Sequence, residues 1–276
     1  MLAIDLLNHY LANHPYGVSD GHAAQLRWSL ESYMRFCGSD GLRVLDIDLA
    51  NRWIDDLRAT RRPDTVRTQR GNLLTLWWHA YREQLVEEPP LRIRRLRPIA
   101  RSPEAWTICE VRRLFDAAQA ERVRPLFWES LIRCAYDTAL RLGDLLALRA
   151  GATNLVAMPQ TVWRITQHKT GIPLAVQLRE QTAASLALHG TGLSASDVIW
   201  PLWGRRETFY RHFSRLVVSA AIRPGTFKWL RRTAVTQLEL VAPGQGTRLA
   251  GHLHRSTTEQ WYIDRSQLMP PPLPPL

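Results

Sequence analysis

The stretch EEPPLRIRRLRPIARSPE, Glu87 to Glu104, divides this chain in two. Pro89, Pro90, Pro98 and Pro103 each lack an amide donor and fix φ, which excludes a regular helix or an interior strand here. On both sides apolar residues recur at helical spacing, so the chain reads as two folded parts joined by an extended connector. We place a helical domain at residues 1–88, a basic linker at 89–104, a second domain at 105–268 and a proline-rich tail at 269–276.

In the first part, LRWSLESYMRFC sets Leu26, Leu30, Tyr33, Met34 and Cys37 on one helical face. NRWIDDLRA is a shorter amphipathic piece that Pro63 stops, and Asp64 reads as the N-cap of the helix TVRTQRGNLLTLWWHAYREQL. Arg61 and Arg62 precede that helix, Arg67 and Arg70 lie a turn apart on it, and Arg92, Arg94, Arg95 and Arg97 crowd the linker. These eight are candidate phosphate contacts, since a basic helix start and a basic connector both suit a polyanionic backbone. In the second part ICEVRRLFDAAQ and PLFWESLIRCAYDTAL are helical. The β-branched run TVWRITQHKTGIPLAVQL then predicts a hairpin turning at Lys169, Thr170 and Gly171. Helices return near 205–221 and 228–242, so the class is mainly α with a small antiparallel β-sheet. The tail MPPPLPPL is extended or disordered, because its prolines exclude a helix after Leu268.

Charge narrows the partners. The formal net charge is +11 and the pI about 10.4, with 14 arginines against 12 acids in residues 1–100 and 22 basic against 13 acidic residues after them. Such an excess calls for a polyanion, nucleic acid before an acidic membrane surface. No apolar run approaches the ~20 residues that span a bilayer, and MLAIDLLNHYLANH, with Asp5, makes a poor signal peptide. Cys37, Cys109 and Cys134 fit buried thiols in a reducing compartment, which points to the cytoplasm. HKTG lacks the upstream glycine of a phosphate-binding loop, and His252 and His254 have no further ligands at metal-binding spacing. We therefore expect neither a metal nor another cofactor.

Cations are written as arginine 34 times and as lysine only at Lys169 and Lys228. Guanidinium stays protonated, whereas an ammonium can be tuned to release a proton, so the two lysines are candidates for proton handling. Both fall within five ordered pieces. TALRLGDLLALR resembles the first arginine motif of the tyrosine recombinases, the phage-integrase family, and HKTG resembles their hairpin lysine. KWLRRT is similar to their His/Lys-x-x-Arg box, LAGHL to their Leu-Gly-His box, and STTEQWY to the segment that ends in the nucleophilic tyrosine.

The resemblance covers nearly the whole chain. It implies an N-terminal helical core-binding (SAM-like) domain followed by an α+β catalytic domain. Arg141 and Arg231 would clamp the nonbridging oxygens, Lys169 would protonate the leaving 5′-oxygen, and Lys228 would contact the phosphate or assist proton transfer. His252 would bond a phosphate oxygen or support the tyrosine, Asp144 would brace the site, and Tyr262 would attack phosphorus to give a 3′-phosphotyrosine. The implied activity is site-specific DNA recombination without ATP or metal. The implied partner is double-stranded DNA, held by a homotetramer on two sites that assembles from monomers or dimers, in the nucleoid and away from membranes. Three positions depart from the family: Lys228 replaces its usual histidine, Arg232 its frequent second histidine, and Tyr262 follows the position where Trp261 stands. These leave two other readings open, a catalytically silent DNA-binding relative and a strand-relaxing enzyme resembling the type IB topoisomerases.

Overall fold

The computed structural model describes residues 2–97, 102–151, 162–167, 170–202 and 204–268, and the chain separates into two compact units, Met1–Ala100 and Arg101–Leu276. Lys169 and the proline tail at 269–276 lie outside the described residues.

The first unit holds four helices, α1 (Ala3–Asn13), α2 (Asp20–Cys37), α3 (Ile47–Thr60) and α4 (Pro63–Arg82). Leu26, Leu30 and Tyr33 of α2 meet Trp53 and Ile54 of α3 and Leu73, Leu76 and Trp77 of α4 in one buried core. The turn between α3 and α4 differs from the sequence expectation. Pro63 both ends one helix and begins the next as its first residue, so Arg62 is the N-cap and Asp64 lies in the first turn. A missing amide costs nothing at that position, and the fixed φ already suits a helix.

The described residues of the proline-interrupted stretch after α4 form no helix or strand, so their polar backbone groups need side-chain partners. Trp77 Nε1 donates to Glu88 O at 2.8 Å, Arg70 Nε to Arg94 O at 2.6 Å, and the Arg94 amide to Asn51 Oδ1 at 2.9 Å. Ile93 is buried in the core beneath them. As far as Arg94, this stretch is strapped onto the first unit.

The second unit begins with α5 (Ile108–Gln119) and α6 (Pro125–Thr138), then the short α7 (Leu142–Leu146). Strands β1 (Val162–Thr166) and β2 (Pro173–Gln177) pair antiparallel in the register Trp163–Val176 and Ile165–Leu174. Helices α8 (Glu180–His189), α9 (Arg206–Ser219), α10 (Lys228–Val241), α11 (Gln245–Ala250) and α12 (Arg255–Trp261) follow. Trp106, Trp128, Trp163 and Trp200 are buried in the main core, while Ala139, Val235, Ala250, Tyr262 and Ile263 form a smaller one. Of the three thiols, Cys134 is buried and Cys37 partly so, but Cys109 is exposed in the first turn of α5, where the sequence had suggested burial. No helix among the described residues is long and apolar enough to cross a membrane.

Glu110 locks the start of the unit. It closes a capping box with Thr107, and its carboxylate accepts from Arg223 Nε at 2.8 Å and Nη2 at 2.9 Å. The Arg223 hydrogen bonds outweigh burial and hold this carboxyl down at about 2. A depressed carboxyl stabilises the fold above its ordinary pKa and loses that contribution as pH falls through the folded value. Screening through half-exposed Arg223 limits the contribution to roughly 1–2 kcal/mol. Glu110→Gln is expected to lower the thermal midpoint at pH 7, with the gap from wild type shrinking between pH 4.5 and 2. A gap unchanged across that window in calorimetry would contradict the assignment.

Candidate active site

Helix α10 begins at Lys228, so Lys228 and Arg231 stand one turn apart on one face. Arg231 is 2% exposed. Its Nη1 donates to Ala139 O, and its Nη2 donates to Ala250 O at 2.8 Å and to His252 Nε2 at 2.9 Å. Ala139 caps the C-terminus of α6 and Ala250 ends α11, so the guanidinium faces the negative ends of two helices. Burial brings its pKa down to about 10, which leaves it charged at neutral pH.

Ala139 adopts a left-handed backbone, φ +49°, which ends α6 and turns the chain so that Arg141 becomes the N-cap of α7. Arg141 Nη1 lies 2.8 Å from Gln167 Oε1 and 3.8 Å from Asp144 Oδ2. Asp144 is buried one turn into α7. It therefore stands behind Arg141 rather than in the open cleft.

Tyr262 follows the last residue of α12, and its ring is 8% exposed. Arg231 Cζ lies 4.9 Å and Lys228 Nζ 5.1 Å from the ring centroid, and the His252 ring is 4.6 Å away. Burial pushes the phenol pKa up, but the charges of Arg231, Lys228 and Arg141 outweigh it and the net shift is downward. Trp261, by contrast, is 49% exposed. Lys228 is itself lowered, first by the protein around its ammonium and then against the raising effect of Tyr262 by the nearby arginines. A cleft of about 490 Å³ is lined by Arg141, Lys228, Arg231 and Tyr262, with Tyr210 and Thr226 at its edge.

His252 is neutral in this setting. Burial, then Arg231, Arg141 and Lys228, bring its pKa down to about 4. Arg231 can only donate, so Nε2 carries the lone pair and Nδ1 carries the hydrogen toward Thr258 Oγ1 at 2.8 Å. His254, two residues on, is exposed. Among the described residues no group of three or more His, Cys, Asp or Glu is placed to hold a metal ion.

The structure thus brings Arg141, Asp144, Lys228, Arg231, His252 and Tyr262 together. The eight candidate DNA-contacting arginines form a separate group in the first unit. Arg70 and Arg94 spend donors on the strap described above, Arg94 also pairs with Asp55, and Arg67 lies 3.9 Å from Asp64. Arg61, Arg62, Arg92, Arg95 and Arg97 are exposed.

No family model matches the sequence, and no curated protein matches it. Solved structures do. A lambda integrase dimer bound to a COC′ core site superposes with a TM-score of 0.78 at 17% identity, over 98% of each chain. A lambda integrase tetramer bound to a Holliday junction gives 0.76 at 16%, over 98% of this chain and 79% of that one. The Tn1549 transposon integrase in complex with a circular intermediate DNA gives 0.72 at 13%, over 95% of each. This is the tyrosine-recombinase fold.

Within that fold the chain adds site residues that motif reading missed. Gln167 joins Arg141 to Ala250 O, and Thr258 accepts the Nδ1 hydrogen of His252 and so holds the ring. Arg232 donates to the carbonyls of Trp261 at 3.2 Å and Glu104 at 3.3 Å, holding the backbone beside the tyrosine. Gln167 did carry a sequence signal. The inward alternation of Trp163 and Ile165 continues to position 167, so a polar side chain was due on the buried face. Nitrogen-15 NMR of the imidazoles is expected to show His252 neutral, protonated on Nδ1, from pH 8 to 6, charging only as pH falls toward 4. A midpoint at the ordinary histidine value of 6.5 would remove the neutral acceptor from the site.

Proposed function

We propose that this chain is a site-specific DNA recombinase that cuts and rejoins strands through a covalent phosphotyrosine. The observation that carries the reading is the convergence of Arg141, Lys228 and Arg231 on one buried tyrosine, with a net lowering of its pKa. A phenol is a weak nucleophile at neutral pH unless cations or a proton acceptor assist it; these three residues supply the cations and neutral His252 the acceptor.

In the proposed step Tyr262 Oη attacks the scissile phosphorus, and the bond from phosphorus to the 5′-oxygen breaks. Arg141 and Arg231 hold the nonbridging oxygens, where negative charge grows. The phenolic proton passes toward His252 Nε2, whose lone pair is exposed when Arg231 turns a donor to phosphate. The departing 5′-oxygen takes a proton from Lys169, a role carried by the sequence resemblance. Attack by the 5′-hydroxyl of a partner strand reverses the sequence, so the phosphodiester energy is conserved and no ATP is needed. The exposed arginines of the first unit supply sequence-independent phosphate contacts. Neighbours of the same fold are bound to DNA as a dimer and as a tetramer on a Holliday junction, which supports assembly of four protomers on two DNA sites.

Nicked duplexes that trap the covalent intermediate test the proposal. Wild type is expected to give a protein–DNA adduct that survives denaturation. Tyr262→Phe is expected to give none while still shifting the same duplex in a gel, and an adduct from this variant would defeat the nucleophile assignment. Lys169→Arg keeps the charge but not the transferable proton. It is expected to slow cleavage at a 5′-hydroxyl leaving group by about 100-fold. A 5′-thiol leaving group, which needs no proton, is expected to restore the rate, and a rate left low there would argue against Lys169 as the acid.

A further inference from the structure

Gln167 is 1% exposed, so it cannot reach a DNA phosphate, yet both ends of its amide are committed within the site. Its Oε1 accepts from Arg141 Nη1 at 2.8 Å and from Thr170 Oγ1 at 2.7 Å. Its Nε2 donates to Ala250 O at 3.0 Å. The orientation follows from the partners, because a guanidinium only donates and a carbonyl only accepts. Ala250 O also receives Arg231 Nη2 at 2.8 Å. One neutral amide therefore joins the two arginines through a single shared carbonyl.

Backbone bonds at the same residue extend the connection to the hairpin. The Gln167 amide donates to Ile172 O at 2.9 Å, and its carbonyl accepts from the Gly171 amide at 2.8 Å, closing the turn beyond β1. The amide can reach Ala250 O only because residue 251 is glycine. A Cβ there would stand 2.7 Å from Gln167 Nε2, and φ at Gly251 is +60°.

We propose that Gln167 is the positioning residue that sets Arg141 and Arg231 as one phosphate-binding unit. The inference rests on the strand-transfer reading above. A neutral acceptor suits the task physically. It fixes the direction of the Arg141 fork without cancelling its charge, whereas a carboxylate at the same distance would compete with phosphate for the cation. Asp144 Oδ2, at 3.8 Å, is too far for a direct hydrogen bond, so the close acceptor on the Arg141 fork is the neutral amide.

The test is a double-mutant cycle on the single-turnover rate of adduct formation with a nicked duplex. Gln167→Met keeps the length and loses all three side-chain hydrogen bonds, and is expected to slow adduct formation about 100-fold, as small misplacements of a positioned group do. Affinity for the duplex rests on many phosphate contacts and is expected to change by less than about threefold. Gln167→Met combined with Arg141→Ala is expected to lose far less than the product of the two single losses, because once Arg141 is gone the amide has no second arginine to join to Arg231. A merely structural role would give losses that multiply. If Gln167→Met has no cooperative thermal transition, Gln167→Glu replaces it in the cycle. It keeps the size and the Arg141 contact, and is expected to be slow because its charge holds the guanidinium. A rate within about threefold of wild type, or multiplying losses, overturns the inference and leaves strand transfer standing. Absence of any adduct from wild type overturns both.

Discussion

Burying the Arg231 guanidinium is the constraint on which the second unit depends. Moving a full charge out of water costs several kcal/mol unless fixed dipoles replace the lost hydration. Among the described residues no carboxylate forms an ion pair with it, and its Nε has no partner. Its compensation is instead the carbonyls that end α6 and α11, together with the lone pair of His252. All three acceptors are neutral, so the cation is desolvated but not neutralised. The helix ends must therefore meet at this point for the unit to fold. The left-handed Ala139, a conformation costing about 1 kcal/mol for a residue with a side chain, is the local strain accepted to bring its carbonyl there.

The tyrosine is placed with comparable economy of parts. Thr236 Oγ1, on α10, donates to Tyr262 O at 3.2 Å and accepts the Asp264 amide at 3.0 Å. The buried Asp264 carboxylate in turn accepts the Ala105 amide at 2.9 Å, and Gln267 Nε2 donates to Ala105 O at 3.0 Å. With Arg232 on the Trp261 carbonyl, the segment from 261 to 267 is stitched to α10 and to the entry of α5. The phenol is thus delivered to the cations of its own chain by backbone contacts on both sides of it.

Much of this was legible in the sequence, and the illegible part has a common cause. Periodicity located the helices at Ile108–Gln119 and Pro125–Thr138, and β-branched content located the hairpin, because those signals are local. The ordered motifs named Arg141, Arg231, His252 and Tyr262, and the structure gathers these four side chains in one place. The α3–α4 boundary was misplaced because Asp64 is a good cap in isolation while Pro63 is a better first residue. Two of the three partners of Arg231 could not be read at all. They are main-chain carbonyls of two alanines, 92 and 19 residues away, and an alanine in a sequence says nothing about where its carbonyl points.

The electrostatics of the cleft follow from the same arrangement. Arg141, Lys228 and Arg231 act on two titratable neighbours at once, lowering the phenol of Tyr262 and lowering the imidazole of His252. These effects are complementary. A field that favours the phenolate must disfavour an imidazolium, so the phenol moves toward its charged form while the adjacent imidazole keeps its lone pair. A carboxylate paired closely with any of the three cations would weaken both effects. The nearest to Arg141, Asp144, stays at 3.8 Å, and the close partners are a neutral amide and backbone carbonyls. On the proposed reading, an incoming phosphodiester would bring a second full negative charge to the cluster, beside Asp144. Its arrival would lessen the stabilisation of the phenolate and raise the proton affinity of His252, which drives the phenolic proton toward the imidazole as attack proceeds.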